Sequence, residues 1–307
     1  MLNLPDSLYE DYNLMVTRSS AAGASTSQPP LSVATIIRWI NDLQFPASRD
    51  LALQNLADNR DSFEDLALLL WSSSIPISAL LQEVIGVYTE LSSPVLCPRL
   101  STRVYNALLL FQCIASHPET RAKFLKAMMP HYFYPLLQTT HTDKPREYLR
   151  LGSLGVLAQL LKSPEYEEGA RFLIDSDAVS CCLHCLGIGC IASQTVATYI
   201  LHKILMTEEG LQYCCVLAER YFTIDGLLKK LMVKLAGMKK KPPPNLLQLV
   251  VGCYLRLSMK SRACEGIRRY IPILLVDSTF EEFLSEDPLA NDYRNKLLQN
   301  LRNKAFN

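Results

Sequence analysis

Four of the ten cysteines, Cys181, Cys182, Cys185 and Cys190, fall within ten residues. Cys182-Leu-His-Cys185 has the C-x-x-C spacing shared by zinc sites and dithiol redox centres. A structural zinc needs four converging ligands, commonly two separated pairs. None of the five histidines (His117, His131, His141, His184, His202) pairs with a second at ligand spacing. A thioredoxin-type dithiol needs a βαβ setting, which the pattern here lacks. The plainer reading treats these cysteines as small apolar residues on a packed helix.

A second cluster is basic. Lys229, Lys230, Lys234, Lys239, Lys240 and Lys241 fall within 13 residues and end at Pro242-Pro243-Pro244. Such a run can contact phosphates, or it is a solvated helix end whose charges complement the helix dipole. No aromatic residue interleaves the lysines, as a base-stacking platform would require. The net charge of +1 supplies no global field toward nucleic acid or anionic membrane. The sequence holds no His-Glu-x-x-His, Walker A, Gly-x-Gly-x-x-Gly or Gly-x-Ser-x-Gly pattern. The expectation is a protein that is not an enzyme and needs neither metal nor cofactor.

The elements that must position these residues are helical. Of 307 residues, 49% are hydrophobic, 20% charged and only 12 are glycine, a bias toward long helices rather than turn-rich β architecture. Thr17 to Pro30 contains no large apolar residue. Residues 1–31 are therefore expected to be a disordered tail, and residues 32–307 the folded domain. The acidic start (Asp6, Glu10, Asp11) has no apolar signal-peptide core, and no apolar run reaches membrane-spanning length. With clustered rather than evenly spaced cysteines, the chain reads as intracellular, soluble and reduced.

From Ser32 onward apolar residues recur at helical spacing, as in Val104, Leu108, Phe111 and Ala115. Capping boxes are expected at Asp61 with Glu64, Ser116 with Glu119 and Ser278 with Glu281, and an N-cap at Ser163 before Pro164. Breaks at Pro46, Pro76, Pro94 with Pro98, Pro118, Pro145, Pro164, Gly187 with Gly189, Gly210, Pro242 to Pro244, Pro272 and Pro288, with roughly 15 helices and short links, predict an all-α armadillo/HEAT-like solenoid. A compact all-α bundle is the alternative. Helices apolar on more than one side, such as Ala79 to Val87 and Val250 to Leu257, suit the central layers of a stack.

Five strings go beyond generic helix: Val104-Tyr-Asn-Ala-Leu108 leading to Ala115-Ser-His-Pro-Glu-Thr-Arg121; Glu147-Tyr-Leu-Arg-Leu151; Ser153-Leu-Gly-Val156; Thr195-Val-Ala-Thr198 with Lys203-Ile-Leu205; and Cys253-Tyr-Leu-Arg-Leu-Ser258 with Arg262-Ala263. In order and spacing they resemble the required-for-cell-differentiation family, the armadillo-type ninth subunit of the CCR–NOT mRNA deadenylase complex, from about Ile36 to Leu301. The resemblance is to a divergent member. It implies a non-catalytic adaptor in mRNA decay, translational repression and transcription regulation, found in the cytoplasm, including P-bodies, and in the nucleus. The partners it implies are the NOT scaffold subunit, short peptides of decay and silencing factors, nucleic acid through a basic cleft, and a second copy in a homodimer.

The same resemblance assigns residues. Tyr148, Gly155, Thr195 and Val196 match a concave peptide-binding face. Lacking a side chain, Gly155 either lets a ligand approach or serves tight helix packing. Arg220 and Arg262 match tryptophan-accepting pockets, where an Arg plane over an indole is favourable. Ala218 replaces an aromatic of animal relatives there. Asn245, Gln248 and Gly252 stand where the family's basic cleft residues are expected. Ser72, Ser74 and Ser78 replace the His, Phe and Ala that contact the scaffold, so scaffold docking is expected to be weakened. The alternative function is a free-standing armadillo protein that binds nucleic acid or an unrelated peptide.

Overall fold

The computed structural model describes residues 32–162, 166–238 and 243–303. The expected tail over residues 1–31, the Ser163–Pro164 cap and Lys239 to Lys241 lie outside them.

Proline sets many helix starts, because its missing N–H falls where a helix has no acceptor to offer. Among the described residues it occupies the first or second position of seven α-helices, including those that open at Pro46, Pro98 and Pro118. The first two helices, α1 (Val33–Asp42) and α2 (Pro46–Asp58), form a partial layer. Five triplets follow: α3 (Leu66–Trp71), α4 (Ser74–Gly86) and α5 (Pro98–Ser116); α6 (Pro118–Lys126), α7 (Tyr134–Gln138) and α8 (Lys144–Gln159); α9 (Tyr166–Asp175), α10 (Ala178–Ile188) and α11 (Ile191–Met206); α12 (Glu208–Val216), α13 (Ala218–Ala236) and α14 (Pro244–Leu257); α15 (Ser261–Arg269), α16 (Glu281–Glu286) and α17 (Pro288–Asn303). The described residues contain no strand.

The last helix of each layer packs on the last helix of the next, giving one ladder α2–α5–α8–α11–α14–α17. One continuous core runs through the stack from Ile36 to Leu301. Being packed between α11 and α17, α14 buries Val250, Val251, Cys253, Tyr254 and Leu257 completely. That explains why its apolar residues spread over more than one side.

Joints between layers repeat one device. Gly169 of α9 and Gly210 of α12 press on the carbonyls of Leu160 and Ile204, at the ends of the preceding ladder helices, so closely that a Cβ would clash with backbone. Near the start of α6, Thr120 meets the preceding ladder helix with its hydroxyl, which donates to the Ile114 carbonyl at 2.6 Å. Buried charge also ties layers together: Glu83 of α4 accepts from Arg49 of α2 at 3.1 Å and from Arg103 of α5 at 2.6 Å.

The three described capping boxes are corrected. Asp61 lies in a 3-10 turn, and α3 begins after Asp65 without a side-chain cap. Ser116 is the last residue of α5, and His117 Nδ1 caps α6 by accepting from Glu119 N at 3.3 Å. Helix α16 begins after Phe280, away from Ser278.

Candidate functional site

The ladder gives an unbroken surface crossed by side chains from successive layers. On α8, Tyr148 and Gly155 are seven residues apart, two turns along one face. Tyr148 is half-buried and packs against the Tyr105 ring at 6.0 Å and 53°, with Lys144 Nζ 5.9 Å from its centroid. With Ala57, Tyr105 and Leu109 it forms an apolar cluster separate from the main core, built from α2, α5 and α8. A Cβ on Gly155 would run into the Gln112 carboxamide, which donates to the Gly152 carbonyl at 3.0 Å. What fills the space over Gly155 is therefore the movable end of a side chain, not a rigid wall.

The other two peptide-face positions are placed differently. Thr195 and Val196 are each 1% exposed. Thr195 donates its hydroxyl to the Ile191 carbonyl at 2.8 Å, and Val196 belongs to the main core. Val196 therefore has no room for the charge that an open groove residue would accept. The α11 side chains that approach the surface include Tyr199, His202 and Lys203. Lys203 Nζ stands 5.5 Å from the Tyr166 ring and 5.8 Å from that of Tyr199. Sequence reasoning missed this group, although Tyr199 and Lys203 show the i, i+4 spacing that signals it. Next to it His202 fits against Gly252, where a Cβ would come within 2.6 Å of Nε2. Burial first, then the charges of Lys203 and Arg256, lower the His202 pKa to about 4.

The residues matched to tryptophan pockets lie on α13 and α15, which Tyr221 joins by donating to the Ala263 carbonyl at 3.2 Å. Ala218 and Arg262 are exposed, as are Val216, Leu217 and Phe222. Arg220 already stacks on this chain's own Tyr213, 3.6 Å from the centroid, and donates to the Tyr213 carbonyl at 2.6 Å.

The described lysines do not form one free basic patch. Lys229 pairs with Asp225 at 2.7 Å, and Lys234 donates to Gln194 at 2.7 Å. Lys230 and Lys234 border a cavity of about 150 Å³ beside Gly189 and Gln194. Three of the four clustered cysteines, Cys181, Cys182 and Cys185, are buried on α10. Burial raises all three thiol pKa values, that of Cys185 to about 12, so these thiols stay protonated and unreactive at neutral pH. Among the described residues, no three His, Cys, Asp or Glu side chains converge to hold a metal, and no helix is long and apolar enough to cross a membrane.

Ser72, Ser74 and Ser78 are all exposed at the α3–α4 corner. Ser72 donates to the Leu69 carbonyl at 2.7 Å and borders a cavity of about 250 Å³. Ser74 is the first helical residue of α4; Ser73 holds the cap position and makes no side-chain cap bond.

The strings that carry the family resemblance hold many of the polar ties of the fold. Arg121 donates to the carbonyls of Ala115 (3.2 Å) and Ser116 (2.9 Å). Tyr254 donates to Asp225 Oδ1 at 3.1 Å, and Arg256 to the Leu205 carbonyl at 3.0 Å.

Stacked three-helix layers joined by a ladder, with an apolar cluster on that ladder outside the core, define an armadillo-type repeat protein. Two designed armadillo repeat proteins superpose on 87% of the chain, one with TM-score 0.62 at 14% identity and one, solved in complex with the peptide (KR)4, with TM-score 0.58 at 16% identity; each is covered over 99% of its length. Residues 39–301 match the family described as "Cell differentiation family, Rcd1-like". The chain belongs to this family. It is 41% identical over 277 residues to the cell differentiation protein rcd1 of Schizosaccharomyces pombe, covering 90% of this chain and 96% of that one. It is 40% identical over 252 residues to protein CAF40 of Saccharomyces cerevisiae, covering 82% of this chain and 67% of that one.

Proposed function

We propose that this protein is a non-catalytic adaptor subunit of the CCR–NOT deadenylase complex that presents its ladder face to short peptides of decay and silencing factors. It acts in mRNA decay, translational repression and transcription regulation, in the cytoplasm, including P-bodies, and in the nucleus. The supporting observation is the Ala57–Tyr105–Leu109–Tyr148 cluster, apolar yet outside the core and adjoining Gly155 with its movable Gln112 cover. A grooved repeat surface of this kind recognises peptides by shape and apolar contact and needs no catalytic group. Affinity purification of the tagged full chain from its native organism tests the reading: deadenylase subunits are expected at near-stoichiometric yield. A free-standing armadillo protein is the second reading, favoured by three exposed serines at the scaffold-docking corner. Recovery of the chain without any deadenylase subunit would decide for it.

A further inference from the structure

The last turn of α10, the start of α11 and the second half of α13 border the cavity of about 150 Å³. Its α13 wall is Leu227, Lys230, Leu231 and Lys234, which share one helix face. Leu231 is buried and Leu227 half-buried, whereas both lysines are exposed, so the floor is apolar and the rim cationic. No carboxylate lines the cavity. Lys234 is held by the Gln194 carboxamide at 2.7 Å rather than by an acid. Lys230 has no ion-pair or hydrogen-bond partner among the described residues. It is the neighbouring Lys229, outside the cavity wall, that Asp225 neutralises.

The opposite wall offers acceptors. A helix leaves its last four carbonyls without partners inside the helix. At the end of α10, the Cys185 carbonyl accepts from the Gly189 N–H and the Leu186 carbonyl from the Gln194 carboxamide, each at 2.8 Å. The carbonyls of Gly187 and Ile188, two residues that line the cavity, accept no hydrogen bond from the described residues.

These features select a ligand. About 150 Å³ lies below the ~300–1,000 Å³ of pockets for drug-sized molecules, so the cavity admits a single residue. A nucleic-acid phosphate would meet the two ammonium groups but leave the leucines uncovered, and no aromatic ring lines the cavity for a base to stack on. An acidic side chain carries no N–H beside its carboxylate for the α10 carbonyls. The end of a polypeptide carries a carboxylate, an N–H and a side chain on one residue. We propose that the cavity captures the free C-terminus of a partner peptide whose last residue is apolar. The carboxylate lies between Lys230 and Lys234, the last side chain rests on Leu227 and Leu231, and the last N–H meets the Gly187 or Ile188 carbonyl. Capture of a terminal carboxylate is a recurring mode of peptide recognition. The site shares no residue with the Tyr148 cluster and does not depend on membership of the deadenylase complex.

The test is a titration of the isotope-labelled full chain with the peptide acetyl-Gly-Ser-Gly-Leu, followed through its amide resonances. At ~10 mM peptide, above the millimolar dissociation constant that so small a contact allows, shifts are expected at Gly187, Gly189 and the Gln194 carboxamide. The same peptide with an amidated C-terminus, and one ending in glycine, are each expected to bind at least tenfold more weakly; neither control needs a protein variant. Lys230→Gln, at an exposed position, is expected to lower affinity at least tenfold with unchanged circular dichroism. Tyr148→Ala is expected to leave it unaltered, and loss of binding in that variant would move the site to the other cluster and overturn the proposal. Equal shifts from inorganic phosphate would reduce the cavity to an adventitious ion patch and overturn it. Equal binding of acid and amide, full affinity in Lys230→Gln, or no shift at the cavity would overturn it as well.

Discussion

Glu147 and Arg150 stand one turn apart on α8 and pair with each other while both are buried, and their other bonds reach away from that helix. Glu147 Oε2 accepts from Cys190 N at 3.0 Å and from the Ser193 hydroxyl at 3.1 Å, at the start of α11. Arg150 Nη2 donates to the carbonyls of Thr139 (2.8 Å) and His141 (2.9 Å), in the segment leading into α8. The pair therefore sets how one layer enters the next, immediately beside Tyr148.

Removing one partner should cost far more than replacing both. Glu147→Ala leaves a buried guanidinium without its carboxylate, and losses of that kind run at roughly 3–5 kcal/mol. Replacing both Glu147 and Arg150 with alanine removes the uncompensated charge, so its cost should fall well below the sum of the two single alanine changes. Urea denaturation of the two single variants and the double variant closes the cycle. A Glu147→Ala loss below about 1 kcal/mol would show that the pair adds little.

Tyr148 and Val196 should separate binding from folding. Tyr148→Ala trims a half-buried ring outside the main core, so the fold is expected to persist. Peptides selected on the wild-type chain should then bind at least ~30-fold more weakly, the scale of a truncated aromatic hot spot. Val196→Glu instead places a carboxylate in the core and should abolish cooperative unfolding. Fluorescence anisotropy and calorimetry on both variants read the two effects. Unchanged peptide affinity in Tyr148→Ala would remove the cluster from the site.

These two residues also show what the sequence makes legible. Helix starts are local events, so Pro98, Pro118 and Pro145 mark them without help from tertiary structure. Cap identity is less local. Ser116 with Glu119 has the spacing of a capping box, yet the chain stays helical through Ser116 and turns at His117, whose ring nitrogen takes the capping role. The burial of Val196 was hidden because α11 packs against both α8 and α14, and its open side is marked by Tyr199, His202 and Lys203 further along the helix. The recognisable strings were informative for a structural reason: Glu147, Arg150, Tyr254 and Arg256 are polar ties with few interchangeable alternatives.

At the scaffold corner, the change Ser72→His, Ser74→Phe, Ser78→Ala should strengthen docking without touching the fold, since all three positions are exposed. Restoring one aromatic anchor corresponds to ~2–4 kcal/mol, or roughly 30- to 1,000-fold in affinity. A titration against the scaffold's docking domain checks it. Tight binding by the unaltered chain, with no gain from the three changes, would count against the proposed weakening.

The glycines divide into two kinds with opposite expectations. Gly155→Ala meets only the flexible Gln112 carboxamide, and alanine gains up to about 1 kcal/mol of helix propensity, so its stability should change by less than about 1 kcal/mol. Gly169→Ala and Gly210→Ala drive a methyl group into the backbone carbonyls of Leu160 and Ile204, which can yield only if the layers separate. Both should lower the melting temperature substantially. Equal melting temperatures for all three variants would refute the joint assigned to Gly169 and Gly210.

His202 should make the stack acid-sensitive in a defined window. Its folded pKa lies near 4, depressed mainly by burial and further by Lys203 and Arg256, whereas in an unfolded chain histidine titrates near ~6.5. Between those values the unfolded state binds the extra proton. Its contribution to stability is therefore fully present above the unfolded value and is lost as pH falls toward 4, by up to about 1.4 kcal/mol per pH unit. Below the folded value the loss levels off, because both states are then protonated. The informative quantity is the difference between the wild type and His202→Gln. The variant should start less stable at pH 7.5, since the fit against Gly252 and Tyr293 is disturbed. Its unfolding free energy should nevertheless fall less steeply between pH 6.5 and 4.5, by the equivalent of about one proton. Parallel curves for the two proteins across that interval would mean that His202 gains its proton as easily in the fold as outside it, and that its burial against α14 and α17 does not exclude the charged form.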